Sequence, residues 1–385
     1  MTLSLSKRAA DISQAEIRVM TIECEKAGGI NLAQGVCDTG VPPPVSAGAK
    51  RAMDDGYNSY TRYDGLPQLR EAIARKMLSY NKITANPENE VVVSAGSTGA
   101  LYCACLALLN PGDEVILFEP FYGYHINTIL AVEAVPRYVN MRPPDWTFTD
   151  ADLERAVTPR TKAILICTPA NPSGKVWTAA ELEKVAAFAR RHDIFIFTDE
   201  IYEYFVYDGR KHISPGSLAS VADRTITISG YSKTYSITGW RIGYCVCRRQ
   251  WADMIGYVND LVYVCAPAPL QLGVAAGIDG LPPSFYSGLC EEFDRKRDLI
   301  CSTLAGIGLK PYVPQGAYYV MADVSNLPGR TSKEKAMFLL SKTGVASVPG
   351  SAFYHDNGGE NLVRFCYAKT DEELDKACAR LRRLK

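Results

Sequence analysis

Thr225-Ile-Thr-Ile-Ser-Gly-Tyr-Ser-Lys233-Thr-Tyr-Ser-Ile-Thr-Gly-Trp-Arg241-Ile-Gly-Tyr244 is the stretch from which the rest of the chain is read. Its β-branched run, Thr225 to Ile228, predicts a short buried strand that ends in the small residues Ser229, Gly230 and Ser232. A single lysine follows the strand, and an arginine comes eight positions later. A lysine after a strand is ordinarily a solvated loop residue. Held at the mouth of a sheet, it can instead lose its proton and attack a carbonyl to form a Schiff base. An arginine nearby can grip a phosphate with two parallel hydrogen bonds. The pair points to an aldehyde that also carries a phosphate, pyridoxal 5'-phosphate (PLP).

Outward from this segment, short apolar runs alternate with helical patterns. Val91 to Ser94, Glu114 to Phe118, Ala163 to Cys167 and Asp193 to Thr198 predict strands, and Gly99 to Leu109 a buried helix. Thr178 to Arg191 has helical spacing with Glu181 and Glu183 in its first turn. Such alternation predicts an α/β domain, a three-layer αβα arrangement around a mostly parallel sheet. Ligands of these sheets bind at the carboxyl ends of the strands. After about residue 285 the texture changes. Glu291 to Leu304 and Asp371 to Leu384 predict helices, Ala317 to Met321 and Leu362 to Cys366 strands. The expected division is a large domain over 46–284 and a smaller α+β domain from 1–45 and 285–385.

Composition narrows the function classes. The 385 residues are 47% hydrophobic and 22% charged, an ordinary globular balance. Lys plus Arg equals Asp plus Glu, so there is no basic footprint for nucleic acid, and a neutral surface suits an oligomer. Of twelve cysteines, Cys103, Cys105, Cys167, Cys245 and Cys247 sit in apolar runs and read as core residues. None has further ligands at zinc spacing, so no metal site is expected and a reduced, cytoplasmic setting is the simplest reading. Met1 to Lys7 lacks the apolar core of a signal peptide, and no window is long and apolar enough for a bilayer.

The longer string Ser232-Lys-Thr-Tyr-Ser-x-Thr-Gly-Trp-Arg-x-Gly243 closely resembles the PLP-lysine signature of class I/II aminotransferases, the fold-type I family. Other segments extend the resemblance in order from about residue 30 to 370. Asp199, closing an apolar strand, reads equally as a cap or as a functional anion. In Thr198-Asp-Glu-Ile-Tyr202 it resembles the family's Asp-Glu-x-Tyr. That implies Asp199 faces the pyridine nitrogen and Tyr202 the cofactor's phenolate oxygen. Asn171-Pro-Ser-Gly174 is a turn by composition. It resembles Asn-Pro-x-Gly, in which the asparagine meets the same oxygen and the peptide bond before proline is often cis.

Ala95-Gly96-Ser97-Thr98-Gly99 follows a strand and opens a helix, the chemistry of a phosphate cradle. The resemblance assigns Gly96, Ser97, Thr98, Ser232 and Arg241 to the phosphate, with Gly230 standing where some members have a further serine. It places the Tyr122 ring on the cofactor face. Tyr60, in Tyr-x4-Gly65-x-Pro67, would reach the phosphate of a neighbouring subunit, which makes the active site a shared one in a homodimer. Arg364 interrupts an apolar strand and needs a partner: a structural ion pair, or, as the family motif implies, the substrate α-carboxylate. Gly35 matches the glycine beside that carboxylate. One departure is Val36-Cys-Asp-Thr39, where many members have Pro-Asp-Phe lining the substrate side.

These expectations converge on a ping-pong aminotransferase that moves an amino group between an L-amino acid, neutral or aromatic, and a 2-oxo acid. Lys233, Asp199 and Tyr202 are its catalytic residues; Gly35, Asn171 and Arg364 hold the substrate. The aromatic character is read from Tyr60, Tyr122, Tyr124 and Tyr263. Other reactions on the same scaffold are the main rivals: carbon–sulfur β-elimination, cyclisation or decarboxylation. A ligand sensor would be expected to carry an added DNA-binding domain, and only about 30 residues precede the family region. A dinucleotide-dependent dehydrogenase would need a Gly-x-Gly-x-x-Gly that is missing.

Overall fold

The computed structural model describes residues 3, 5, 6, 8, 9, 12 and 15–384, so much of the Met1 to Lys7 reading lies outside the described residues. Thirteen strands run along the described chain: β1 Ile30–Asn31, β2 Val91–Ala95, β3 Glu114–Glu119, β4 Val135–Asn140, β5 Thr161–Cys167, β6 Phe195–Asp199, β7 Thr225–Gly230 and β8 Ile242–Val246, then β9 Lys310–Tyr312, β10 Tyr319–Asp323, β11 Val345–Ala346, β12 Val348–Pro349 and β13 Leu362–Cys366. Strands β2 to β8 form one seven-stranded sheet in the order β2-β8-β7-β6-β5-β3-β4, parallel except for β8. This is the α/β architecture expected, and its central strands are buried on both faces, as helix-covered parallel strands are.

Register places the chemistry. Cys167 pairs with Asp199, and Asp199 with Ile228, so the carboxyl ends of β5, β6 and β7 finish together. The segments that carry Asn171, Asp199, Tyr202 and Lys233 leave one edge of the sheet side by side. At the other end of the order, Ala95 pairs with Ile242, which sets Arg241 beside Gly96. The helices follow local rules. Thr178 and Glu181 form a reciprocal capping box at the start of the helix Ala179–Arg191.

Strands β9, β10, β12 and β13 form a second, antiparallel sheet, in which Arg364 faces Met321 across β10 and Val348 across β12. The short β1 pairs in parallel with β11, Ile30 to Val345.

Several element limits differ from the sequence reading. The Asp193 to Thr198 strand begins at Phe195, because Asp193 turns the chain at φ +51°. The Ala317 strand begins at Tyr319, since Ala317 itself is left-handed at φ +57°. The Gly99 helix begins at Gly96, the Glu291 helix at Pro283, and the last helix ends at Leu381 before a short 3-10 turn. Strands β1, β4, β8, β9, β11 and β12 have no counterpart in the sequence reading. Cys103, Cys105, Cys245 and Cys247 are buried core residues, whereas Cys167 is only half-buried and lines a cavity; all twelve cysteines are free thiols. No described helix is long and apolar enough to cross a membrane.

Candidate active site

Lys233 lies in the turn after β7, and its Nζ donates to the Gly35 carbonyl at 2.9 Å. Burial pushes its ammonium below the ordinary lysine range, and the positive Arg241 and Arg364 push the same way against Cys37 and Cys366. Reaching the neutral amine, the nucleophilic form, therefore costs less here than for a solvated lysine. Two joined cavities open around it, of about 200 and 400 Å³. Both are bounded by Tyr122, Tyr124, Asn171, Lys233 and Thr238.

Asp199 and Tyr202 line the larger cavity. Asp199 Oδ1 accepts the Ile201 amide at 3.2 Å, and Oδ2 lies 2.9 Å from His125 Nε2. His125 is buried on the helix Gly123–Ala131, edge-on to the Tyr122 ring at 5.3 Å. The sequence reading missed it. The available signal was its place one turn after Tyr122 in a chain with four histidines. Tyr202 shares a 2.8 Å hydroxyl contact with Tyr319, a second missed residue that had been read merely as part of a strand. Burial pushes the Tyr202 phenol far above its usual range, so it remains a hydroxyl. Asn171 is buried after β5, and the Asn171–Pro172 bond is cis, as are Glu119–Pro120, Pro143–Pro144 and Thr168–Pro169.

Ser97, Thr98, Ser232 and Arg241 line the far wall of the larger cavity. Gly96 opens the helix Gly96–Leu108 at φ +77°, and a Cβ there would collide with the Arg241 guanidinium. Gly243 is needed for the same approach, since its Cβ would strike Gly96 and the Ser97 nitrogen. Arg241 is held by the Thr238 carbonyl, 2.8 Å from Nη1, and by no carboxylate among the described residues. Gly230 ends β7 with an added Cβ only 3.0 Å from Gly243 Cα, so a serine would crowd the neighbouring strand.

Arg364 is fully buried. Its Nη1 donates to Asn171 Oδ1 at 2.8 Å and its Nη2 to the Ala33 carbonyl at 2.6 Å, while Nε has no partner. The guanidinium carbon lies 4.3 Å from the Tyr319 ring centre and 5.1 Å from that of Phe353. No carboxylate among the described residues pairs with it, so the structural ion pair is not what holds it there. Gly35 lies against the Tyr319 hydroxyl, with no room for a Cβ.

Two sequence expectations need correction. Cys37, Asp38 and Thr39 do not line either cavity. Cys37 is buried, its thiol pushed up to about 12 by desolvation; Asp38 accepts from Lys369 at 2.6 Å; Thr39 contacts the Ser236 hydroxyl. Gln34, Gly35 and Val36 are the wall residues instead. Tyr263 is no pocket wall either: its hydroxyl accepts the Ala95 amide at 3.1 Å behind the Gly96 turn. Tyr60 lies outside its own chain's cavities and is 83% exposed, in a turn whose Thr61 amide donates to Cys265 Sγ at 3.4 Å.

Residues 27–381 match the family model described as aminotransferase class I and II. Kynurenine–oxoglutarate transaminase 3 of Rattus norvegicus is 36% identical over 381 residues, which span 90% of this chain and 83% of the relative. An aspartate aminotransferase of Pyrococcus abyssi is 34% identical over 385 residues, 99% of this chain and 98% of the relative. The solved structure of N-succinyldiaminopimelate aminotransferase from Mycobacterium tuberculosis superposes with a TM-score of 0.95 at 32% identity, covering 99% of this chain and all of that one.

Proposed function

The chain belongs to the class I and II aminotransferases, PLP-dependent enzymes that pass an amino group between an amino acid and a 2-oxo acid, and from that premise we propose that Lys233 is the cofactor-bearing residue and general base of its active site. The observation that carries this reading is a half-buried lysine, shifted toward its neutral form, at the junction of two cavities. The surrounding donors fit PLP: an arginine without a carboxylate partner beside a helix N-terminus, a buried carboxylate braced by a histidine, and two hydroxyl-bearing residues in the first helical turn.

PLP supplies an aldehyde that captures amines and a protonated ring that accepts the electron pair released at Cα. The chain supplies the rest. Gly96, Ser97, Thr98, Ser232 and Arg241 hold the phosphate. Asp199 keeps a proton on the ring nitrogen, and His125 orients Asp199. Tyr202 and the Asn171 amide would donate to the phenolate oxygen, and Tyr122 would cover the ring face. Arg364 fixes the α-carboxylate beside Gly35. Lys233 Nζ would take the proton from the substrate Cα and hand it back, acting first as general base and then as general acid.

A neutral or aromatic amino donor fits the walls, which carry Val36, Tyr122 and Tyr124 and give onto a further hollow of about 460 Å³ edged by Ile17, Phe121, Phe353 and Tyr354. The working form in this reading is a cytoplasmic homodimer with Tyr60 completing its partner's phosphate site. Each protomer is built from the large unit 46–284 and the small unit 1–45 plus 285–385; the β1–β11 pairing supports the joining of the amino-terminal segment to the latter.

Purified protein should be yellow with PLP, and borohydride should fix the label on Lys233. Lys233→Ala should bind PLP without covalent attachment and lose turnover by several orders of magnitude. Attachment at another lysine would refute the assignment. A screen of the common amino acids, read as conversion of the cofactor absorbance band, identifies the donor.

A further inference from the structure

Resting on this reading, we propose that Tyr319 is a positioning residue for the cofactor's phenolate oxygen: its hydroxyl donates to Tyr202, which leaves the single hydroxyl hydrogen of Tyr202 for that oxygen. The two tyrosines come from segments of different sheets. Tyr202 follows β6 and lines the larger cavity with Asp199 and Lys233. Tyr319 opens β10 of the antiparallel sheet and lines the smaller cavity with Gly35 and Arg364. Their hydroxyl oxygens meet at 2.8 Å, and either can be the donor. Both side chains are buried, and among the described residues neither hydroxyl has another partner.

A phenol has one hydrogen to give and two lone pairs with which to accept. A hydrogen that Tyr202 gives to Tyr319 is lost to the cofactor. An anionic oxygen in the larger cavity is the stronger acceptor and draws the Tyr202 hydrogen to itself. The contact between the two hydroxyls then survives only with Tyr319 as donor. A hydroxyl that accepts one bond gives a stronger one onward, so Tyr319 strengthens the bond that Tyr202 makes. Burial pushes the Tyr319 phenol well above its usual range, so the hydrogen stays on. The Arg364 guanidinium, 4.3 Å from the ring centre, pulls the other way and polarises the O–H. Arg364, Tyr202 and Tyr318 hold the ring in place. Packing therefore explains the ring but not the hydroxyl. That oxygen fills the space a Cβ at position 35 would need, which restricts the position to glycine.

The test is a pH titration of the cofactor absorbance in holoenzymes carrying Tyr319→Phe, Tyr202→Phe or both. A donor to the phenolate oxygen stabilises its negative charge, so a weaker donor raises the apparent pKa at which the band shifts. Tyr202→Phe should raise it most. Tyr319→Phe should raise it by about half to one pH unit, the size of one neutral hydrogen bond, and should add nothing once Tyr202 is replaced. Introducing 3-fluorotyrosine at position 319 keeps ring and hydroxyl, makes a stronger donor and should lower the pKa; it decides the matter if Tyr319→Phe does not fold. A shift that persists undiminished in the double variant would overturn the proposal, as would a rise in amino acid KM with the band unmoved. A wild type that forms no cofactor band refutes the PLP reading and this inference with it. A band that titrates alike with and without the Tyr319 hydroxyl refutes this inference alone.

Discussion

Arg364 shows how a single residue discloses its task through what surrounds it. A fully buried guanidinium with an unsatisfied Nε and no carboxylate partner among the described residues is costly unless a ligand completes it. Asn171 and the Ala33 carbonyl hold its two terminal nitrogens, and Tyr319 and Phe353 fix its plane. Lysine keeps the charge but not the plane. Arg364→Lys should lower kcat/KM for the amino acid by about 10- to 100-fold, from one or two charged hydrogen bonds. The rate with a matched amine lacking the carboxylate should scarcely move. Equal losses on both substrates would make Arg364 a packing residue. This arginine was legible in the sequence because a charge inside Leu362-Val-Arg-Phe-Cys366 breaks an apolar pattern. His125 and Tyr319 break none. Each acquires meaning from a neighbour on a distant element, Asp199 or Tyr202, and such pairings carry no local mark.

At the scale of elements, the phosphate site depends on how closely two turns approach. Antiparallel β8 lays Arg241 and Gly243 directly against the Gly96 turn, and neither glycine has space for a side chain. Gly96→Ala adds a left-handed strain of about 1–2 kcal/mol and drives the guanidinium of Arg241 out of place. The PLP dissociation constant of the apoenzyme should rise about tenfold or more, measured by titration of the cofactor absorbance. Gly288→Ala is the control, in the open on the helix Pro283–Gly306. It should leave PLP binding as it was and raise stability by about 0.5–1 kcal/mol. A Gly96→Ala protein with wild-type affinity would show that the turn is not the phosphate site. The order of strands and helices was readable because buried parallel strands are continuous apolar runs. β4 escaped because it is an edge strand, half polar and containing Pro136. β8 escaped because Ile242-Gly-Tyr-Cys-Val246 was read for its motif, not as a strand. The misplaced boundaries at Asp193 and Ala317 are non-glycine residues at positive φ, which an apolar pattern does not reveal.

The whole molecule poses a question that one chain does not answer from within. Leu261 is 88% exposed, with Met254, Tyr257, Val262 and Val264 exposed beside it at the end of the helix Arg249–Tyr263. The Tyr63 and Tyr257 rings meet at 5.2 Å, and Cys265 meets Thr61, so the Tyr60 turn borders the same apolar patch. The proposed homodimer would account for an exposed apolar surface of this kind. A two-fold dimer that buries it would carry each Tyr60 toward the other protomer's cavity, where its hydroxyl adds a donor to the phosphate site. Tyr60→Ala then damages the partner's site, whereas Lys233→Ala damages its own. Mixed in equal amounts and allowed to exchange, the two inactive proteins form hybrids in half of their dimers. Each hybrid has one site with both lesions and one with none, so about a quarter of wild-type activity should return. Mixing Lys233→Ala with Arg364→Lys, two lesions of the same site, should return none. Absence of recovery after exchange has been verified by mass would place Tyr60 in its own chain's structure, and a fully active monomer, seen by sedimentation at assay concentration, would remove the shared site altogether.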